Sequence, residues 1–146
     1  MKQKITAYSF VVVQFACLIY IFVSGGFLAE SINGLLVEVA GLILGISAIL
    51  QMKLGNFNVA PLPKSGGELV TSGVYSLIRH PMYLAQLLVV AALTVDYYSH
   101  ARLFAVLLLF TVLVFKLHFE EKQLKVQFDG YEEYMQKTWR LIPYIY

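Results

Sequence analysis

The chain alternates long apolar runs with short polar breaks, and four runs stand out: roughly Ile5 to Ala29, Ile32 to Met52, Pro81 to Tyr98 and Ala101 to Phe119. Each comes close to the ~20 residues that an α-helix needs to cross the hydrocarbon of a bilayer. The pattern therefore predicts four transmembrane helices. The breaks between runs one and two, and between three and four, are short enough to predict two antiparallel helical hairpins. The first run is too long for the core of a secretory leader and no small-residue cleavage site follows it, so it is read as a permanent span.

The connection over 53–80 has a different pattern. Gly55, Asn56, Asn58, Pro61, Pro63, Gly66, Gly67 and Gly73 favour turns. Phe57, Val59, Leu62, Leu69, Val70, Val74, Tyr75, Leu77 and Ile78 interrupt the polar positions, which predicts an ordered segment packed on the membrane surface. After the fourth run, Leu124, Phe128, Tyr131 and Tyr134 recur at steps of three or four, predicting an amphipathic cytoplasmic helix with a break at Asp129-Gly130 and an apolar stripe that packs over the connection. The expected fold is all-α. It is a single membrane-embedded domain over 1–146, divided into an N-terminal hairpin (1–52), a cytoplasmic connection (53–80), a second hairpin (81–119) and a cytoplasmic tail (120–146).

Composition agrees with this reading: the chain is 59% hydrophobic and 14% charged, with a mean hydropathy of +0.70, against about 45–50% apolar for a soluble domain. Basic residues add an orientation. Lys2, Lys4, Lys53, Lys64, Arg79, Lys116, Lys122, Lys125, Lys137 and Arg140 all fall on one side of a four-span arrangement, and only Arg102 falls on the other. Cytoplasmic flanks are enriched in Lys and Arg, so both termini and the connection are expected on the cytoplasmic face, of the inner membrane if the cell is prokaryotic. A net charge of +2 without a basic stripe argues against nucleic acid. Cys17 has no partner for a disulfide and reads as a small packing residue; with no clustered histidines, no metal site is expected.

Candidate chemistry gathers on that face. Pro81 lacks an N–H and suits the first position of a helix, and it pushes His80 out of the helical region. Arg79 and His80 are thereby offered at a helix entry, at headgroup level. Glu120 and Glu121 come where the fourth span leaves the bilayer, and adjacent carboxylates there must be solvated or paired. They also form i,i+4 pairs with Lys116 and Lys125 that need no function. Most tyrosines read as interfacial anchors, but Tyr83, two residues after Pro81, is placed to turn its hydroxyl toward the junction. Glu38 is an intramembrane carboxylate, hence either a functional candidate or a snorkelling or Asn33-paired structural residue. His100 and His118 receive no role.

At these residues the chain resembles the isoprenylcysteine carboxyl methyltransferase family and its phospholipid methyltransferase relatives. The motifs are Gly73-x-Tyr75-x3-Arg79-His80-Pro81-x-Tyr83-Leu84, then Glu120-Glu121-x2-Leu124 with Phe128 and Tyr131-x2-Tyr134, and finally Arg140-x2-Pro143, spanning Leu69 to Pro143. The resemblance implies an S-adenosyl-L-methionine-dependent membrane methyltransferase acting on a lipid-like acceptor, with the cofactor arriving from water and the acceptor from the bilayer. It implies Arg79, His80, Tyr83, Glu120, Glu121 and Tyr75 at the cofactor, Arg140 and Tyr134 at the acceptor, and Arg140 and Glu121 as catalytic residues. A carboxylate acceptor would be oriented by Arg140, whereas an amine acceptor would need Glu120, Glu121 or Glu38 as a base. Carboxyl and amine acceptors stay open. Two other readings stand beside it: an NADPH-dependent membrane reductase of the sterol-reductase type, which is similar in its Arg-His-Pro-x-Tyr segment, and a non-catalytic membrane scaffold.

Overall fold

The computed structural model describes residues 2–56, 60–62 and 66–146. Among them the regular structure is helical: α1 (Lys2–Val23), α2 (Ile32–Asn56), a 3-10 turn (Gly73–Ser76), α3 (Pro81–Asp96), α4 (His100–Gln127) and a short α5 (Tyr131–Lys137). α1, α2 and α4 each contain an apolar stretch long enough to cross a membrane. α3 is equally apolar but has only 16 residues, or ~24 Å at 1.5 Å per residue.

α1 packs along α4, and α2 packs along α3. Cys17 and Ile21 of α1 meet Val89, Val90 and Leu93 of α3 and Ala105, Leu109 and Leu113 of α4 in one buried cluster. α2 joins through its glycines: a Cβ at Gly41 would lie 3.0 Å from the Ala85 carbonyl oxygen, so the bare backbone is what lets α2 close on α3. Large apolar residues such as Val12, Ile19, Leu36, Leu50 and Phe104 point outward, as they do on a surface solvated by lipid.

Several expected boundaries shift. The first apolar run was expected to continue to Ala29, but α1 ends at Val23, before Ser24-Gly25-Gly26; Phe27 and Leu28 are apolar without being helical. The third ends at Asp96 rather than Tyr98. α2 extends to Asn56 and takes in the start of the connection. The tail was expected to form its own helix from Glu120. Instead α4 runs unbroken to Gln127, because the residues after Phe119 are good helix formers and no glycine or proline intervenes before Gly130. The break near Asp129-Gly130 is where the pattern places it. Phe57, Asn58, Val59, Pro63 and Lys64 of the connection lie outside the described residues. Of the rest, Ala60, Pro61, Tyr75 and Ile78 are buried, so this part of the connection packs inward.

Two local features hold the connection in place. Gly73 has φ +59°, the left-handed region that favours glycine, and a Cβ there would also strike the Gln51 side chain. That close approach lets Gln51 Oε1 accept the Val74 N–H at 2.7 Å. The second feature is a parallel bridge between Ile78 and Trp139. The Arg79 N–H donates to the Trp139 carbonyl (2.8 Å), the His80 N–H to the Arg140 carbonyl (3.0 Å) and the Trp139 N–H to the Leu77 carbonyl (3.0 Å). The entry to α3 and the end of the chain are thus joined backbone to backbone.

Candidate active site

His80 caps α3 with φ −122° and ψ 57°, and Pro81 occupies the first turn. The pre-proline residue is kept out of the helical region, as proline sterics require. This geometry turns the His80 ring over Tyr83, with centroids 5.3 Å apart and planes 4° from parallel. The Tyr83 hydroxyl donates to Glu120 Oε2 at 2.6 Å. His80 therefore sits between two carboxylates: Nδ1 is 3.7 Å from Glu120 Oε2, and Nε2 is 3.5 Å from Glu121 Oε1.

Arg79 ties the wall to the tail. Its Nε donates to Glu121 Oε1 at 2.8 Å, and its Nη1 donates to the carbonyls of Met135 (3.0 Å) and Thr138 and to Thr138 Oγ1 (3.2 Å). Arg140 Nε holds the other Glu121 oxygen at 3.1 Å. Glu121 is thus a buried carboxylate shared by two guanidinium groups, an arrangement in which charge-assisted hydrogen bonds offset desolvation.

The tail aromatics complete the enclosure. The Tyr134 hydroxyl donates to the Tyr75 carbonyl at 2.6 Å, and Tyr131 packs edge-on against Tyr134. Burial pushes the Tyr75, Tyr131 and Tyr134 phenols well above their usual range, with nearby Glu120 adding to the effect at Tyr75. All three remain neutral donors at physiological pH.

Between these pieces lies a cavity of ≈ 210 Å³. Of the residues singled out from sequence, Arg79, His80, Tyr83, Glu120, Tyr75 and Tyr134 border it. Glu121 and Arg140 are not among its lining residues; they are paired to each other beside it. Glu38 is far from this end. Its carboxylate accepts the Ala29 N–H at 2.8 Å, near the start of α2, which makes it a helix–loop anchor and removes it as a base for this cavity.

Other lining residues went unnoticed in the sequence. Lys116 was read as a partner for Glu120 on a solvated face, yet it is 2% exposed: its Nζ donates to Gln14 Oε1 at 2.6 Å and stands 5.1 Å from the Tyr83 ring centroid. Gln14 Nε2 donates in turn to Gln86 Oε1 at 2.6 Å. The available signal was a glutamine in the middle of each of two apolar runs. Polar side chains at membrane depth must find partners.

A second, apolar groove of ≈ 350 Å³ runs between α1, α2 and α3, bordered by Leu18, Phe22, Gly41, Gly45 and Val89 among others. Met82 and Gln86 border both spaces. A chamber that carries charged and polar side chains among apolar ones, at one end of the bundle, thereby shares a wall with an apolar groove among the helices. No match was found among curated proteins. Residues 29–130 match the family model described as Phospholipid methyltransferase, from just before α2 through the Glu120-Glu121 segment to the break before α5. With more than half its length matched and the motif residues gathered at one helical end, the chain belongs to the phospholipid methyltransferase family, a membership that implies a membrane methyltransferase.

Proposed function

We propose that the chamber binds S-adenosyl-L-methionine and that the chain transfers the methyl group to a lipophilic acceptor reached through the apolar groove. The observation that carries this reading is the shared wall: Met82 and Gln86 separate a chamber bearing Glu120, His80 and Tyr83 from a groove of almost purely apolar lining. A polar donor and an apolar acceptor need such adjoining but unlike spaces.

The residues present suit the donor. Glu120 offers a carboxylate, one quarter exposed, to a cationic group. The buried Tyr131 Oη has no hydrogen-bond partner among the described residues, and Tyr131 borders the chamber; a buried polar atom without a partner calls for one. Leu69, Val70 and Met52 supply apolar contact for a purine. When bound, the donor supplies a methyl group already activated on a sulfonium sulfur.

The chain's own task is then to align two molecules and exclude water. Tyr83 and His80 fix Glu120; Arg79 and Arg140 fix Glu121, and through it the wall. Glu121 and Arg140, which the resemblance makes catalytic, act in this arrangement as positioning residues, and Arg140 would meet an acceptor carboxylate only on leaving Glu121. Tyr75 and Tyr134 brace the connection against the tail. For an oxygen acceptor, a new O–CH3 bond forms as the donor's C–S bond breaks and the electron pair remains on sulfur; a carboxylate has no proton to lose. An amine acceptor would pass its proton to Glu120.

We further propose a four-span topology in which α3 is the short inner span, with both termini and the chamber on the cytoplasmic face and lipids around the bundle. The distribution of Lys and Arg supports it. Incubating the purified protein with radiolabelled S-adenosyl-L-methionine and a total lipid extract tests the activity. Label transferred to a lipid-soluble product is the expected result; no transfer, together with tight NADPH binding, would overturn it.

A further inference from the structure

We infer that residues 139–146 form an interfacial anchor: the segment after α5 folds back against α4 and lays Trp139, Ile142, Tyr144 and Ile145 into the boundary between headgroups and acyl chains beside the chamber. The inference rests on the four-span topology proposed above and needs neither the donor nor the acceptor.

The segment holds its own shape while carrying apolar side chains outward. The Leu141 and Ile142 N–H groups both donate to the Tyr146 main-chain oxygen, at 2.8 and 2.9 Å, and the Tyr146 N–H returns to the Ile142 carbonyl at 2.9 Å. Within this turn Tyr144 has φ 65°, a conformation that a side-chain-bearing residue keeps only where its surroundings impose it. Tyr146 is fixed in place by α4. The His118 Nδ1 lies 2.7 Å from the Val114 carbonyl, which can only accept, so Nε2 is left to accept the Tyr146 hydroxyl at 3.3 Å. The Arg140 guanidinium covers the Tyr146 ring at 5.3 Å. Yet Tyr144 is 81% exposed and Ile145 78%, with Trp139, Ile142 and Leu77 exposed alongside. No charged side chain occurs over 141–146. A contiguous apolar patch of this kind marks an interaction surface.

Depth names the partner. Phe10 of α1 meets Phe119 of α4 at 6.1 Å, edge to face, so the two stand at one level of the bundle. Lys4 lies roughly 9 Å nearer the start of α1 than Phe10, at 1.5 Å per residue. His118, beside Phe119, thus pins Tyr146 inward of this charged rim. Phe115, on the same flank of α4 and one turn further in, is exposed on the surface that lipid covers. Tyr144 and Ile145 are therefore uncovered at a level where lipid, and not bulk water, meets the protein. Tryptophan and tyrosine favour this layer. The bridge from Trp139 to Ile78 ties the anchor to the entry of α3, and Arg140 ties it to Glu121. An anchored segment accordingly holds the tail wall of the chamber at a set depth.

Trp139 is the single tryptophan of the chain, so its emission reports on this segment without a label. The full chain is placed in phosphatidylcholine nanodiscs whose acyl chains are unmodified, brominated near the ester or brominated near the methyl end, and acrylamide serves as the aqueous quencher. Bromine near the ester should remove more of the Trp139 emission than bromine near the methyl end, and acrylamide should remove little. Tyr144→Asp combined with Ile145→Asp puts charge at an apolar boundary; it should restore emission in the brominated discs and open Trp139 to acrylamide. Tyr144→Phe combined with Ile145→Leu should behave as wild type. A Phe115→Trp protein in a Trp139→Phe background reports on the span itself. Quenching by bromine at position 115 with none at Trp139 overturns the anchor, whether acrylamide reaches Trp139, which puts the segment in water, or does not, which puts it under protein such as a second copy. Absence of bromine quenching at both positions removes the topology and the anchor with it. The methyltransferase reading is measured apart from these outcomes, by donor binding and label transfer.

Discussion

The two ends of the bundle each bury an arginine, and they use it differently. At the end away from the chamber, Arg102 donates from Nη1 to the Ile21 carbonyl (2.7 Å) and Ser24 Oγ (2.8 Å), and from Nη2 to the Leu93 carbonyl (3.0 Å). Ile21 and Leu93 lie in the last turns of α1 and α3, so one guanidinium serves the negative ends of two helix dipoles. Gly25 passes so close that a Cβ there would strike Arg102. This end is further tied by Asp96, which accepts from the Ser31 N–H and hydroxyl, each at 2.7 Å. The other end holds Arg79 with a carboxylate and tail carbonyls, and next to it lies open space. A buried arginine is thus no marker of function by itself. What distinguishes the ends is that at one the guanidinium is spent on backbone carbonyls and a serine hydroxyl with no chamber beside it among the described residues, while at the other the partly exposed Glu120 carboxylate borders a cavity together with His80, Tyr83 and Tyr131.

Substitutions can break this contrast, beginning with the most severe. Glu121→Ala strips the shared partner from Arg79 and Arg140; leaving buried charge uncompensated costs ~3–5 kcal/mol. Thermal unfolding in detergent should show a fall of that order, with donor binding lost as the wall comes apart. Arg102→Ala should cost ~3 kcal/mol through lost charge-assisted bonds and an empty volume. In contrast to Glu121→Ala, the fraction that stays folded should bind the donor with wild-type affinity when titrated below its melting point.

Much of this architecture was legible from the linear pattern. Apolar runs mark the helix bodies because the bilayer leaves a helix few alternatives, and the Pro81 junction marks the start of α3 because proline acts locally. The end of α1 was misjudged because Phe27, Leu28 and Ala29 are as apolar as the helix before them; hydropathy reports depth in the membrane, whereas Gly25-Gly26 reports the break. α4 was divided at Glu120 by the same confusion in reverse, since a change to charged residues signals departure from the hydrocarbon and not the end of a helix. Within the site, His80, Tyr83 and Glu120 were legible because motif and helix entry agree. Lys116 and Arg102 were not. Which face of a helix turns inward depends on its neighbours, and the partners Gln14 and Ile21 are distant in sequence. The Ile78–Trp139 bridge was hidden for the same reason.

Milder changes sharpen the comparison. Glu120→Gln keeps an acceptor for the Tyr83 hydroxyl but removes the charge offered to the chamber, so donor binding should weaken ~10–100-fold by titration while the melting temperature moves little. A Glu120→Gln protein that melts as badly as Glu121→Ala would mean that both carboxylates are structural. Gly73→Ala forces a side chain into the left-handed region and against Gln51, with an expected cost of ~1–2 kcal/mol. Proteolysis of the connection should speed up accordingly, with the far end around Arg102 unaffected in hydrogen exchange.

The most direct test of the central claim is calorimetric titration of S-adenosyl-L-methionine into the purified full chain, side by side with Glu120→Gln and Arg102→Ala. The account predicts saturable one-site binding that Glu120→Gln weakens and Arg102→Ala, below its melting point, leaves intact. Folded protein that fails to bind the donor, or binds it equally well without the Glu120 carboxylate, would contradict the placement of the donor in this chamber.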